Sequence, residues 1–433
     1  MGKNGIKWPA SSLILFFLLF CLAPSVCAQS SDPLRLQVDG AVLADAHSGK
    51  ILYQKNADQP LALASMTKIL TEYIILEAIN QQKLSWEDTT AISDYAYRIS
   101  QNLSLSNVPL RPDEKYSVRE LYESMAIYSA NGATIALAEM VAGSEGEFVR
   151  LMNNKAKEIG MTNYSFVNAT GLNNSDLLGM HPAGARNEEN FASAKDVALM
   201  AFRILRDYPE VLTIASIPRK TFRPDSADAI KMDNWNWMLP ELVYGYEGVD
   251  GLKTGSTSLA GYCFTATAQR NGVRLISVVM KGRSYAGRFQ ETKKLLDYGF
   301  NNFERKELFP AGYQKPAQAT IPVRKGKAKT VTIAASKPLT ILIKRGETER
   351  YEPELELESA ELTAPIPKGH VVGRLYANYT GEKREYLTPE GSTLESVPLV
   401  TTEEVKKAGF FRLIFQQIAA FFSWLARQIQ NLF

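Results

Sequence analysis

Strand patterns at both ends of residues 35–305 enclose a helical middle, and this order constrains the fold more than any other feature. Residues 41–55 form two short apolar runs around a Ser48-Gly49 turn, which predicts a β-hairpin. Apolar residues at helical spacing follow in four segments: 65–79, 118–141, 147–159 and 194–208.

Strand signals return near Val249 and continue to residue 280. The runs 252–257, 262–268 and 273–280 are separated by short breaks, and the last two flank an Asn271-Gly272 pair that favours a tight hairpin. A helix from about Arg288 to Phe303 follows. We therefore predict an α+β domain over residues 29–308, with one antiparallel sheet assembled from both of its ends.

The pattern changes after Pro310. Short alternating runs at 330–335, 339–344 and 371–377 are separated by turn pairs such as Lys-Gly and Thr-Gly. This predicts a small all-β domain over residues 309–400. No candidate chemistry stands out in it, so we interpret it as a spacer.

The N-terminal segment is typical of a secretory signal peptide. Lys3 and Lys7 precede an apolar run from Leu13 to Leu22, and small residues lead up to Ala28, after which cleavage is expected. A lipoprotein signal at Cys27 is the alternative, but Val26 stands where a small Gly, Ala or Ser is needed. Cleavage would leave Cys263 as the only cysteine, so no internal disulfide is expected.

The C-terminal segment, residues 401–433, is predicted to hold an amphipathic helix from Ala408 onward. Its polar residues fall on one helical stripe: Arg412, Gln416, Ser423, Arg427 and Gln430. The apolar remainder is rich in aromatics, and polar interruptions make it too short to span a bilayer. An interfacial membrane anchor is favoured over a core-packing helix. The expected location is the outer face of the cytoplasmic membrane.

Charge and histidine content exclude other classes of function. The chain has 49 basic and 46 acidic residues, and this balance gives no sign of a nucleic-acid partner. Its three histidines are His47, His181 and His370, and none lies near another in sequence. No zinc motif or local histidine-based catalytic signature results, and no metal or cofactor is expected.

Ser65 and Lys68 are the first candidate catalytic pair. They are three residues apart at the start of a strong helix pattern, so the amine can reach the hydroxyl. A serine hydroxyl needs a base to become a good nucleophile, and Lys68 can serve if burial and nearby cations lower its pKa. Alone, the pattern is weak, because a serine that begins a helix is usually only a cap.

Two further motifs give that pair its meaning. Ser129-Ala130-Asn131 precedes another apolar helix, and residues 253–257 read Lys-Thr-Gly-Ser-Thr within a predicted strand. Each is unremarkable alone, and Ser129 could be a simple helix cap. All three in this order are the site motifs of the penicillin-binding proteins and serine β-lactamases, which the chain resembles.

Within that superfamily the chain looks most like the low-molecular-mass D-alanyl-D-alanine carboxypeptidases of Gram-positive bacteria. The resemblance covers most of the chain, including the segments ADAHSGKILY, FVNATGLNN, DGLKTGST and GRFQETKKLLDYGF, the β-domain and the tail. It implies that peptidoglycan peptides ending in D-Ala-D-Ala acylate Ser65. It also implies that β-lactam antibiotics acylate the same serine and act as covalent inhibitors. Release of the terminal D-alanine would limit cell-wall crosslinking.

The resemblance also implies roles for single residues. Lys68 would accept the Ser65 proton, Ser129 would pass a proton to the leaving amine, and Asn131 would orient both the substrate amide and Lys68. The substrate-binding residues would be Asn131, Lys253, Thr254, Gly255, Ser256, Thr257 and Arg288. The backbone N–H groups of Ser65 and Ser256 would form the oxyanion hole.

Three alternatives stay open at this stage. A β-lactamase would hydrolyse the acyl-enzyme quickly, and Glu188 and Glu189 lie in a plausible loop for the base this needs, although that segment has the pattern of a solvated stretch. A transpeptidase or endopeptidase would differ only in the acceptor or in the peptide cut. A penicillin-sensing receptor domain would need to be acylated only once.

Overall fold

The computed structural model describes Gly2, residues 32–409, Ile418 and Phe422. The predicted signal peptide and the predicted helix after Ala408 otherwise lie outside the described residues. Residues from Gln37 onward form one compact unit, separate from the residues before it. In the part of the chain that the structure describes, no helix is both long and apolar enough to cross a bilayer.

Strands and helices follow one another along the described residues. The strands are β1 (Gly40–Asp45), β2 (Ile51–Lys55), β3 (Pro60–Ala62), β4 (Thr89–Ala91), β5 (Lys115–Ser117), β6 (Tyr164–Ser165), β7 (Phe191–Ser193), β8 (Arg219–Phe222), β9 (Ile230–Asp233), β10 (Val249–Thr257), β11 (Gly261–Arg270), β12 (Val273–Gly282), β13 (Phe303–Phe309), β14 (Thr320–Arg324), β15 (Thr330–Ala335), β16 (Leu339–Lys344), β17 (Tyr351–Leu357), β18 (Leu362–Thr363), β19 (Val371–Tyr379) and β20 (Ser396–Thr401).

The α-helices are α1 (Lys68–Asn80), α2 (Asp94–Ser100), α3 (Val118–Tyr128), α4 (Asn131–Ala142), α5 (Glu145–Ile159), α6 (Ala194–Asp207), α7 (Val211–Ala215), α8 (Tyr285–Asn302) and α9 (Gly391–Leu394). Short 3-10 turns cover Ala64–Thr67, Asn174–Asp176 and Thr348–Arg350.

A five-stranded antiparallel sheet joins both ends of the first domain, which confirms the predicted α+β architecture. Its strand order is β10-β11-β12-β1-β2, so the N-terminal strand β1 pairs with β12 from the far end. Every residue of β1 is buried, because α6 and α8 both pack on this sheet. Strand β10, which carries Lys253 to Thr257, forms the opposite edge of the sheet from β2.

The helical region packs around α1, which begins at Lys68. Its residues from Lys68 to Leu76 are all buried, so the helix is enclosed on every side instead of showing one apolar face. The helical spacing over 118–141 corresponds to two helices, and the second begins at the Ser129-Ala130-Asn131 motif, as predicted. Ser129 adopts a left-handed conformation with φ 61°, which ends α3 and lets α4 begin at Asn131 in a new direction.

The predicted all-β domain is confirmed after residue 303. Six strands form one sheet in the order β17-β19-β20-β15-β14-β18, and β13 pairs with β16. Pairing continues past β20, since Val405 N donates to Ile366 O at 2.9 Å and Ala408 N donates to Lys325 O at 2.8 Å. Residues up to Ala408 therefore belong to this domain's hydrogen-bonded structure.

The β-domain is joined to the hairpin of β1 and β2 by backbone and side-chain bonds. Ile51 N donates to Glu385 O at 2.9 Å, and Leu387 N donates to Gly49 O at 2.8 Å. Lys50 is 5% exposed, and its amine lies 2.6 Å from the equally buried Glu395 carboxylate. The segment 385–387 thus pairs with the β2 edge of the five-stranded sheet.

Candidate active site

Ser65 lies on the 3-10 turn Ala64–Thr67, immediately before α1. This turn packs against strand β10 so closely that only a glycine fits at Gly255. A Cβ there would lie 2.7 Å from Leu63 O and 3.1 Å from Ser65 N. The missing side chain therefore brings the backbone of the third motif against the backbone of the first.

Lys68 is fully buried and has three polar neighbours. Its Nζ lies 3.0 Å from Ser65 Oγ, and it donates to Asn131 Oδ1 at 2.9 Å and to Thr170 O at 2.7 Å. Neither the amide oxygen nor the carbonyl has a proton to give. When Lys68 is neutral, these two oxygens take its two N–H groups, and its lone pair is left for the Ser65 hydroxyl.

The surroundings of Lys68 favour the neutral amine. Burial is the main cause that holds its pKa well below the ordinary lysine value, and the cation of Lys253 lowers it further. The Glu72 and Glu145 carboxylates act in the opposite direction. A neutral lysine is the form that can accept a proton from a serine.

Asn131 is held in one orientation by the loop that follows α2. Its Nδ2 donates to Ser106 O at 3.0 Å, which turns Oδ1 toward Lys68. Its backbone N–H also donates to Asn107 Oδ1 at 3.1 Å. Ser129 is buried, and its Oγ has no hydrogen-bond partner among the described residues. Its hydroxyl is therefore available to a ligand.

A turn centred on Asn168 supplies the third Lys68 contact. Asn168 Oδ1 accepts hydrogen bonds from the N–H groups of Thr170 at 3.1 Å and Gly171 at 2.7 Å, which aims the Thr170 carbonyl at Lys68. Reasoning from sequence missed Thr170 as a site residue. Its segment appeared only in the resemblance, and a backbone carbonyl leaves no residue-type signal.

Gly171 allows this turn to touch the nucleophile turn. It has φ +79°, and a Cβ there would lie 1.9 Å from Ala64 O and 2.8 Å from Thr67 Oγ1. Both the left-handed backbone and the close approach require glycine. The side chain of Asn190 supports the same junction, since its Nδ2 donates to Thr67 Oγ1 at 3.0 Å.

Lys253 is the second buried lysine of the site, with 3% of its surface exposed. Burial lowers its pKa to about 8, while Glu72 acts to raise it and Arg288 to lower it. Glu72 is itself buried one helical turn after Lys68, and burial raises its pKa to about 7 despite a hydrogen bond from the Tyr122 hydroxyl at 3.2 Å. Glu72 was not predicted as part of the site, because a glutamate in a helix pattern looks the same whether buried or solvated.

Thr257 and Glu189 form a pair that the sequence did not predict. The Thr257 hydroxyl donates to Glu189 Oε2 at 3.0 Å, so it is engaged within the protein. Glu189 is 2% exposed, and burial raises the pKa of its carboxyl. The prediction of a solvated stretch is therefore wrong at Glu189, although Glu188 is exposed.

The motifs meet at a pocket of about 150 Å³. Four of the predicted substrate-binding residues line it together with both serines, whereas Lys68, Asn131, Lys253 and Thr257 are not among the lining residues. The lining residues are Ser65, Ser106, Ser129, Trp235, Thr254, Gly255, Ser256, Tyr285 and Arg288.

Arg288 is buried against this pocket. Its Nη1 lies 3.4 Å from Gly255 O, and its guanidinium stacks 4.1 Å from the centre of the Tyr285 ring. Within the described residues, neither Arg288 Nε nor the Tyr285 hydroxyl has a hydrogen-bond partner of regular geometry, although the two side chains lie close enough for each to shift the pKa of the other. Arg288 is therefore a cation with an unused donor beside the pocket. In the same part of the chain, no cluster of His, Cys, Asp or Glu side chains is arranged to hold a metal ion.

A serine beside a buried lysine, a second serine without a partner, and two further buried cations make an arrangement suited to acyl transfer onto serine. Together with an antiparallel sheet built from both ends of the domain, they define the penicillin-binding class of serine enzymes. Residues 27–284 match the family model described as D-alanyl-D-alanine carboxypeptidase, and residues 303–407 match the C-terminal domain of penicillin-binding protein 5. The chain belongs to this family of D-alanyl-D-alanine carboxypeptidases.

Individual relatives agree with this assignment. D-alanyl-D-alanine carboxypeptidase DacF of Bacillus subtilis is 34% identical over 93% of this chain and 96% of its own length. The structure of a peptidoglycan synthesis regulatory factor (PBP3) from Streptococcus pneumoniae aligns at a TM-score of 0.76 with 34% identity, covering 86% of this chain and all of the other. Penicillin-binding protein D2 from Listeria monocytogenes, solved in its ampicillin-bound form, aligns at 0.52 with 33% identity, covering 62% of this chain and 99% of its own.

Proposed function

We propose that the chain removes the C-terminal D-alanine from peptides ending in D-Ala-D-Ala through an acyl-enzyme on Ser65. The observation that carries this proposal is the contact between Lys68 Nζ and Ser65 Oγ at 3.0 Å, with the amine buried and its pKa lowered. Family membership supports the choice of substrate.

Acylation begins with attack of Ser65 Oγ on the carbonyl carbon of the penultimate D-alanine. The hydroxyl proton passes to Lys68 Nζ, and the new oxyanion points to the backbone N–H groups of Ser65 and Ser256. Each such donor is worth about 3 kcal/mol in other acyl-transfer enzymes. The C–N bond then breaks, and the leaving amine takes its proton through Ser129. Water hydrolyses the resulting ester and frees Ser65.

The substrate carboxylate is recognised by the cationic side of the pocket. Arg288 and Lys253 supply positive charge, and the Thr254 hydroxyl at the pocket wall supplies a donor. Asn131 holds Lys68 and orients the substrate amide. Thr257 lies on strand β10 with Thr254, and its hydroxyl also donates a hydrogen bond to Glu189. Gly255 keeps the strand close to the nucleophile turn.

β-Lactams are proposed to acylate the same serine. Opening of the lactam ring breaks the same kind of C–N bond, but the nitrogen stays attached and keeps occupying the leaving-group side of the pocket. The ampicillin-bound relative supports this assignment. Slow release of the drug then separates this enzyme from a β-lactamase, which would hydrolyse it quickly.

Release of D-alanine tests the reaction directly. Residues 29–409 are incubated with a peptide ending in D-Ala-D-Ala and, separately, with a chromogenic β-lactam. We expect the wild type to release free D-alanine, Ser65→Ala to release none, and the β-lactam to label Ser65 with slow turnover. Rapid β-lactam hydrolysis without D-alanine release would instead identify a β-lactamase.

We further propose that the C-terminal segment holds the exported enzyme at the outer face of the cytoplasmic membrane. This proposal rests on the amphipathic sequence pattern after Ala408. Deleting residues 410–433 leaves the pairing of Val405 and Ala408 intact and should move the protein from the membrane fraction to the medium. D-Alanine release should be unchanged. If the shortened protein stays with the membrane, the tether lies elsewhere.

A further inference from the structure

We infer that Trp235 and Tyr285 form the wall of the subsite for the leaving residue and restrict that residue to D-alanine or one of similar size. The inference rests on the proposed function, because it places the two halves of the leaving residue by the roles of Ser129 and Arg288. Neither aromatic residue belongs to the three sequence motifs.

Two fixed points determine where the leaving residue lies. Its amine must be near Ser129, which passes the proton, and its carboxylate must be near Thr254 and Arg288. The carbon that joins the two groups, and the side chain it bears, must then lie between these points. Trp235 and Tyr285 line the pocket together with Ser129, Thr254 and Arg288.

Contacts of Trp235 and Tyr285 place the two rings between the position of the leaving amine and the position of the carboxylate. The Trp235 indole Nε1 donates to Tyr128 O at 2.9 Å, directly before Ser129 in the chain. The Tyr285 ring lies under the Arg288 guanidinium at 4.1 Å. The centres of the Trp235 and Tyr285 rings are 6.2 Å apart. The wall therefore runs from the proton-transfer side of the pocket to the carboxylate side.

Packing behind the wall prevents it from yielding. Trp235 stacks on Tyr128 with ring centres 6.0 Å apart, in addition to its hydrogen bond. Tyr285 packs against Trp237 at 4.7 Å and against Tyr262 at 5.9 Å. Rings held from behind in this way cannot shift to admit a larger side chain without disturbing several neighbours.

The size of the pocket agrees with selection for a small residue. Its volume of about 150 Å³ lies below the roughly 300–1,000 Å³ of drug-sized ligand sites. Where a ring of the wall leaves no room for a side chain, each methylene that does not fit reduces reactivity by about tenfold or more.

The test compares peptides that differ only in the last residue, which is D-alanine in one and D-leucine in the other. For Trp235→Ala, we expect the ratio of kcat/KM for D-leucine over D-alanine release to rise about tenfold or more. Trp235→Phe should keep a ratio near that of the wild type, because the ring still fills most of the space. A ratio measured within one variant does not depend on the fraction of enzyme that is folded.

Trp86→Ala is the matched control. Trp86 is also a half-buried indole, but it packs on Tyr122 with ring centres 5.2 Å apart and is not among the residues that line the pocket. This variant should keep the wild-type ratio. An equal loss of kcat/KM for both peptides in Trp235→Ala would overturn the proposed subsite and leave Trp235 with a purely structural role. Absence of D-alanine release from the wild type would contradict the proposed function itself.

Discussion

Replacing Lys68 with arginine is expected to lower the rate of Ser65 acylation by about 10²- to 10⁴-fold. A guanidinium keeps its proton at any pH at which the protein is folded, so it cannot take the serine proton. In the wild type, acylation should fall as the pH drops through the lowered pKa of Lys68, because the amine is then protonated. The measurement is the second-order rate constant for a chromogenic β-lactam, followed across pH.

Lys155→Arg is the control for the same chemical change. Lys155 is a buried lysine of the same domain, but its amine is paired with Glu77 at 2.9 Å and Glu158 at 2.7 Å, away from Ser65. The rate of Ser65 acylation in Lys155→Arg should equal that of the wild type. If Lys68→Arg acylates as fast as the wild type, Lys68 is not the base.

Replacing Gly171 with alanine should cost about 3 kcal/mol of folding stability, from a strained backbone and from overpacking. The new Cβ would lie 1.9 Å from Ala64 O, so the turn that holds Thr170 against Lys68 must move away from the nucleophile turn. We therefore also expect slower acylation of Ser65. Chemical denaturation measures the stability, and β-lactam labelling measures the rate.

Gly143→Ala separates backbone strain from overpacking. Gly143 has φ +81°, close to that of Gly171, but a Cβ there meets no atom within 4 Å. It should therefore cost only the strain of about 1 to 2 kcal/mol and leave acylation unchanged. Equal stability and equal acylation rates for the two variants would show that the Ala64 contact does not hold the site.

The sheet built from both ends of the domain was predictable because strand runs and helix runs differ in period. The contact between Ser65 and Lys68 was predictable for a similar reason, since residues three apart share a helix face. That Asn131 also reaches Lys68 agrees with the role that the family resemblance implied.

What could not be predicted depends on burial and on the backbone. The motif at Ser129 indicated the start of a helix, but the left-handed backbone of Ser129 lies inside a run whose apolar spacing is continuous, so periodicity alone does not reveal it. Thr170 acts through its carbonyl, which every residue has. Glu72 and Glu189 are carboxylates in buried positions, and single-sequence patterns assign such residues to the surface. Tertiary contacts decide all of these features.

The junction between the β-domain and the β1–β2 hairpin has a consequence for how the enzyme could be shortened. Strand β2 ends the catalytic sheet, and Ile51 N is paired only because Glu385 O lies beside it. A fragment that stops before residue 303 would leave that edge open to pairing with other copies and would strand the Lys50 cation without the Glu395 carboxylate. We therefore expect the β-domain, besides acting as a spacer, to reduce self-association of the catalytic domain.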